Sequence, residues 1–415
     1  MRRSRSALAA ASAAIMAGGL VVAGAGAASA DSVDYPPYRV VTARGEVWGE
    51  PIGLASRADG TLYLAGSRPG ADVVWIIGPN ADGSRTPRRI AGPRANFGRI
   101  TDVGVDDAGQ VYVLSASGRV AVFARGAHGD VAPIRTFQVA SDWPGTMAVS
   151  RSGEVAVEGL GDVKVYAAGA TGTPNPARVL AGPRTGIGAV GPMAFDPAGR
   201  LWMIASGVRV IGFAPGAAGD VAPSHVLTAF TMHAELTDLA VDRRGRVYVS
   251  QFFVAPELSK VWLSVFRAGA HDERPLRELG ARRSGLAKRP VRQLTVDGRG
   301  DLAYATGGKQ IRVFRTLFPV RPTAVRSVTV SGKPGAAKRT VRWKKPSYDG
   351  GRDVRSYKLV FRKGSKTLKT VTLKQGRRSY RVAKSGLRRG KVTVTVRAKT
   401  AKGWSPKVVK SFRVR

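Results

Sequence analysis

Asp102 and Asp238 are the two carboxylates of this chain whose spacing would let them do chemistry together. Each lies seven residues ahead of a glycine that opens a Val-Tyr-Val run, GQVYV at 109–113 and GRVYV at 245–249. The same register places Gly53, Thr146, Pro192 and Gln293 seven residues ahead of Gly60, Gly153, Gly199 and Gly300. If six such units close on themselves, the second and fifth face each other across the axis. Asp102 and Asp238 then meet over a central channel, with Thr146 and Gln293 beside them as further ligand contacts. A divalent cation or a polar ligand suits such a pair. The competing reading has each carboxylate accept backbone N–H groups of its own unit.

Few other constellations exist. The four histidines are His128, His225, His233 and His271. The first and last occupy equivalent places in a repeated Gly-Ala-x-Gly-Asp connector, whereas a zinc centre needs three or four converging ligands. No G-x-S-x-G elbow, phosphate-binding loop or dinucleotide fingerprint occurs. Cysteine is absent, which excludes disulfides, thiolate metal sites and cysteine nucleophiles. The expected set of cofactors is therefore empty, a channel cation being the one exception considered.

The elements that must position the two aspartates are written as a repeat. Its clearest copy runs from Ile100 to Phe137: apolar strand, Asp-x-x-Gly turn, apolar strand, short turn, third strand, Gly/Asp/Pro connector, fourth strand. The turn glycines 60, 109, 153, 199, 245 and 300 are separated by 49, 44, 46, 46 and 55 residues. Four short strands per period in the mid-forties predict a β-propeller with one blade per repeat, hence six blades over residues 36–318. Asp106, Asp196, Asp242 and Asp297 begin the turns that the glycines close, a structural duty. The last copy ends at IRVF without a fourth strand. Tyr38–Val41, following Pro36-Pro37, matches the missing piece and is expected to close the ring. VDxxGxVYV followed by VxVF resembles the propellers of the NHL type. That resemblance implies the fold and leaves function open, because the group mixes enzymes with binding modules. Propeller lactonases set an inner Glu, Asn and Asp on a metal; no blade here supplies the matching Glu.

Residues 1–30 read as a secretory signal peptide. Arg2, Arg3 and Arg5 precede an apolar Ala-rich run, and Ala28-Ser29-Ala30 offers a small-residue cleavage site; a retained membrane anchor is the rival reading. The expected location is extracellular or cell-wall associated. The fifth repeat carries an insertion, FFVAPELSKVWLSVF, whose Phe252, Phe253 and Trp262 either cap a blade or stack on sugars.

After a short proline-bounded linker, 319–322, residues 323–415 form a second all-β unit. Trp343 in TVRWKKP, Asp349-Gly350-Gly351, Tyr357, Leu387, Gly390 before VTVTVRA, and KGWSP at 402–406 make it resemble a fibronectin type III domain, a β-sandwich. The corner tyrosine usual in that family is replaced by Val392, so its hydrogen bond is not expected.

Charge separates the two units. The chain has a net charge of +39, and residues 319–415 hold 30 Lys and Arg against only Asp349 and Asp353. Such self-repulsion favours a negatively charged partner. Lys344-Lys345, Arg362-Lys363, Arg377-Arg378 and Arg388-Arg389 are the candidate polyanion contacts. An anionic cell-wall polymer or acidic polysaccharide is the expected partner; extracellular DNA and peripheral contact with anionic lipid are alternatives, and so is plain solubilisation. The reading is a secreted, non-enzymatic binding protein whose basic domain attaches it to the envelope. The alternative is an extracellular lyase or lactone hydrolase acting on a sugar or lactone in the channel.

Overall fold

The computed structural model describes residues 31–33, 36–42, 51–68, 71–81, 86–228, 230, 234–255, 258–280, 286, 291–305 and 310–415. The leader at 1–30 and His233 lie outside them.

The described chain is all-β apart from two short 3-10 turns, Pro183–Thr185 and Lys384–Gly386. Residues up to Phe314 build repeated antiparallel sheets, five of four strands and one of five. The second is typical: Ile100–Val105, Val111–Ser115, Arg119–Phe123 and Arg135–Gln138 lie side by side in chain order. Every residue of Val111–Ser115 is buried. A middle strand is covered on both faces because sheets stack on either side, so its sequence is a continuous apolar run.

The innermost strands are Pro51–Ser56, Ile100–Val105, Met147–Val149, Val190–Phe195, Glu235–Val241 and Gln293–Val296. Each packs on the next, and the last packs back on the first, which makes a propeller-like ring. Thr295 and Ser56 hydroxyls meet at 2.9 Å across that last junction. Arg39–Thr42 pairs antiparallel with Gln310–Phe314 and supplies the outer strand of the last sheet. Asp31–Val33 adds a fifth strand, parallel to Arg277–Leu279, that the sequence did not announce.

Two devices fix the sheets. At the turn, Asp242 Oδ1 accepts the Arg244 and Arg246 amides at 2.8 and 3.0 Å, and Oδ2 accepts the Tyr248 hydroxyl at 3.2 Å. Asp106 and Asp196 make the equivalent bonds to Tyr112 and Trp202, so the turn acid and the aromatic six residues later form one unit. On the outside, the connector of one sheet clips onto the previous one. Asp130 and Asp220 accept the amides of Arg94 and Arg184 at 2.8 and 2.7 Å.

Residues 326–414 form two sheets around one core. Arg326–Ser331, Lys338–Lys344 and Ser379–Ala383 make the first. Lys366–Lys374, Ser356–Lys363 and Gly390–Thr400 make the second, with Gly403–Trp404 and Val408–Val414 both paired to Gly390–Thr400. Trp343, Tyr357, Leu359, Phe361, Val392, Val394 and Val396 fill the space between. This basic module is docked on the ring. The linker amide of Val320 donates to Gly350 O at 2.9 Å, and the Tyr348 hydroxyl donates to Arg299 O at 3.0 Å.

Candidate functional site

The ring encloses a channel of about 550 Å³. At the end where the inner strands begin it is lined by Thr101, Asp102, Thr146, Asp238 and Gln293; at the turn end by Arg57, Asp59, Asp107, Arg125, Arg151 and Arg243.

Asp102 and Asp238 are aimed by the same local device. In ITDVGVD and LTDLAVD the threonine before each aspartate is extra in the strand pairing: register shifts between Ile100 and Asp102, and between Leu236 and Asp238. A bulge of this kind bends the strand and re-aims the next side chain. Asp102 Oδ1 accepts the Val103 amide at 2.7 Å and Oδ2 accepts the Met147 amide of the next sheet at 2.8 Å. Asp238 does likewise with Leu239 at 2.8 Å and with Leu294 of the next sheet at 2.5 Å.

The reading in which each acid serves only its own blade is thus incomplete. One oxygen serves its own strand and the other staples the neighbouring sheet. Gln293 works the same way, its Nε2 donating to Ile52 O at 2.9 Å across the last junction. Gly53 completes the pattern by being small. A Cβ there would stand 2.7 Å from Asp102 Oδ1 and 2.8 Å from the Val103 nitrogen. Thr146 lines the channel, and its carbonyl accepts the Glu158 amide at 3.2 Å.

Burial raises the Asp102 carboxyl to about 7 against the pull of its two N–H donors. Burial also carries Asp238 well above the usual carboxylate range, with the charge of Asp102 adding to it. Glu158, which sequence reasoning passed over, is the third acid of this neighbourhood. Burial lifts it to about 7, and the Asp102 charge pushes the same way. Its carboxylate lies against Gly145, 3.0 Å from where a Cβ would be. Among the described residues no three His, Cys, Asp or Glu side chains form a group able to hold a metal ion. The carboxylate oxygens that would face a channel cation are the ones engaged on backbone amides.

At the turn end Asp107 joins two sheets that face each other. Arg243 Nη2 donates to Asp107 Oδ1 at 2.9 Å, and Arg151 Nε donates to Oδ2 at 2.8 Å. The bridge spans that mouth. Trp143 is 69% exposed in the SDWPG loop at the other mouth. Phe252 packs against the core between the fifth and sixth sheets, which favours the capping reading of the insertion aromatics. His225 and His271 stand with ring centres 6.3 Å apart at an outer edge, where His271 Nδ1 accepts the Val226 amide.

The eight basic candidates do not form one patch. Lys344-Lys345 and Arg377-Arg378 lie at the end of the module next to the linker: Arg326 Nε donates to Lys345 O at 3.1 Å, and the Trp343 amide donates to Arg378 O at 3.0 Å. Arg362-Lys363 and Arg388-Arg389 lie at the opposite tip, where Lys363 packs beside Gly390. Arg378 is committed locally, stacked over the Tyr357 ring at 4.7 Å and bonded to Arg377 O at 3.0 Å.

Among the described residues no helix is long and apolar enough to cross a membrane. No family model and no curated protein matches the chain. Among solved structures it is similar to YCF48 bound to a D1 peptide, at 14% identity and TM-score 0.45 over 68% of this chain and 99% of that one. It is also similar to the WD40 domain of Toxoplasma gondii coronin, at 12% identity and TM-score 0.44 over 93% and 90%. A third is an extracellular domain from B. thetaiotaomicron, described as that of a one-component system, at 13% identity and TM-score 0.40 over 92% of this chain. This chain spans 60% of that domain's length.

Proposed function

We propose that the chain is a secreted, non-enzymatic binding protein: a six-bladed propeller of the NHL type that recognises an extracellular ligand, carried on a basic fibronectin type III-like domain that attaches it to anionic polymers of the cell envelope. The observation that carries this reading is the disposition of carboxylates. The module's only two acidic side chains, Asp349 and Asp353, both pair with Arg315, the residue after the last propeller strand, at 3.1 and 2.9 Å. All other ionised side chains of the module are cations with no carboxylate of their own unit to answer them. A polyanion supplies that countercharge, and binding releases its condensed counterions.

The test is sedimentation of the full chain with isolated bacterial walls through a sodium chloride series. Binding should fall steeply with salt and fall again on walls stripped of anionic polymer. Equal binding to stripped walls, or binding indifferent to salt, removes the reading. Competition by double-stranded DNA stronger than by the wall polymer would favour nucleic acid as the partner.

A further inference from the structure

We propose that the turn-end mouth of the channel binds the carboxylate of a small organic acid, which takes Arg151 and Arg243 over from Asp107. This names a class of ligand for the ring and rests on the reading of the ring as the recognising half.

The mouth is set by one position of the repeat. The second residue of each turn lines the channel: Ala58, Asp107, Arg151, Pro197, Arg243 and Gly298. Three are short or apolar and three are charged, and the charged three meet. Arg243 Nη2 reaches Asp107 Oδ1 at 2.9 Å. Arg151 approaches Oδ2 side-on, with Nε at 2.8 Å and Nη2 at 2.6 Å. Each carboxylate oxygen therefore has its own guanidinium, one from the third sheet and one from the fifth. Guanidiniums set this way fit the two oxygens of a carboxylate.

The fold does not need the Asp107 carboxylate there. Its turn is held by Asp106, which accepts the Gln110 amide at 2.8 Å and the Tyr112 hydroxyl at 3.1 Å. The second and third turns are joined through backbone, the Asp107 amide donating to Arg151 O at 3.1 Å. The three bridging side chains are between 41% and 48% exposed. A ligand can therefore reach them, and an ion pair so exposed is weak enough to exchange.

Charge at the mouth favours the exchange. Arg57 and Arg125 flank Gly109 beside it, each 3.2 Å from where a Cβ would stand. Arg57 pairs with Asp59 at 3.3 Å, and Arg125 is exposed. Four guanidiniums thus face two carboxylates, Asp59 and Asp107. The other acids that line the channel are engaged. Asp106 holds its turn, Asp242 pairs with Arg246 at 2.6 Å, and Asp102 and Asp238 hold backbone amides deeper in. The channel behind the mouth, about 550 Å³, is of a size that takes a small molecule rather than a polymer.

The experiment titrates succinate into the full chain at constant ionic strength and reads binding by calorimetry, with thermal unfolding to show that each variant folds. Saturable binding at one site is expected. Asp107→Ala removes the competing carboxylate and should tighten succinate binding by about twofold to fivefold. Arg243→Gln and Arg151→Gln should each weaken it by about tenfold. Lys410→Met removes a charge from the module and should change it by less than about twofold. All these substitutions fall on exposed or half-exposed side chains, so folding should survive them. Succinate binding by Asp107→Ala that is absent, or no tighter than that of the native chain, overturns the exchange. Equal losses in Lys410→Met and Arg243→Gln overturn the site. Inorganic phosphate bound more tightly than succinate overturns the choice of ligand. Sedimentation with walls reads the module separately. Salt-sensitive wall binding beside a failed succinate titration sinks this inference and leaves the attachment reading standing; succinate binding without wall binding does the reverse.

Discussion

Arg315 and Asp349 meet across the junction of ring and module, Nη1 to Oδ2 at 3.1 Å. Arg315 is also where the ring closes. It stands at the end of the last sheet, its guanidinium 5.1 Å above the ring of Tyr38, which precedes the strand that completes that sheet. Asp353 reaches the same guanidinium at 2.9 Å. The module thus commits both of its acidic side chains to one propeller arginine. The consequence is directional: the module's two acidic side chains are both confined to the docked end, and the far tip has no acidic side chain.

Breaking this clamp should free the module without unfolding either unit. Arg315 and Asp349 are partly exposed, so the pair contributes about 1 kcal/mol. Arg315→Ala should speed proteolysis within residues 319–322 and broaden the distance distribution in small-angle scattering. The secondary-structure signal should not change. A cleavage rate equal to that of the native chain would mean that Val320, Gly350 and Tyr348 hold the junction unaided.

The buried acids of the ring predict a pH dependence with a definite sign. Asp102, Glu158 and Asp297 all have folded-state values of about 7, above those of the unfolded chain, because burial disfavours their ionised forms. Protonated in the fold and ionised when unfolded, they contribute stability that is complete below about pH 4 and is lost as pH rises through 7. Each can tilt the stability curve by at most about 1.4 kcal/mol per pH unit in that window. Asp102→Asn removes one titration and should flatten the slope of the urea midpoint between pH 4 and 7. It also sets an amide N–H₂ against a backbone N–H, so it lowers stability throughout. An unchanged slope would show that Asp102 titrates as it does in water.

Much of this was readable from the chain, and the misses have physical causes. The Asp-x-x-Gly spacing and the apolar runs yield the sheets because each copy must satisfy the same local bonds. ITDVGVD and LTDLAVD marked Asp102 and Asp238 as alike, yet the duty of their second oxygen was hidden. Stapling to Met147 and Leu294 depends on how sheets abut, which no local pattern encodes. The Gly-Asp of the connector looked like a turn and proved to be a clip onto the previous sheet. The last module strand, Val408–Val414, was missed because Lys410, Ser411 and Arg413 break its alternation; only Phe412 and Val414 are buried. The paired basic residues stood out as candidate contacts, but strand polarity sends the pairs to opposite ends of the module.

The Arg243–Asp107–Arg151 bridge should be worth little and should disappear in salt. All three side chains are between 41% and 48% exposed, so screening is strong. A double-mutant cycle on Asp107→Ala and Arg243→Ala should give a coupling of about 0.5–1 kcal/mol at low ionic strength and almost none at 1 M salt. A coupling that survives 1 M salt would show that the bridge fixes the distance between opposite sheets rather than decorating the mouth.

Ring closure by Arg39–Thr42 carries the most severe test. Val41 is 3% exposed and packs with Ile311, Val313 and Leu64 in the layer between the last and first sheets. Without this strand, Gln310–Phe314 becomes an open edge, with unpaired N–H and C=O groups offered to any other chain. Val41→Asp buries a carboxylate with no partner, so it should cost more than about 3 kcal/mol and promote aggregation on heating. Val41→Ile, which stays apolar, should cost less than about 1.5 kcal/mol. A chain beginning at residue 43 should aggregate, and a synthetic peptide of residues 36–42 added in trans should restore monomer. A soluble monomer without the peptide would mean that the ring closes by the contact of Gln293–Val296 with Pro51–Ser56 alone. The outer strand would then be dispensable.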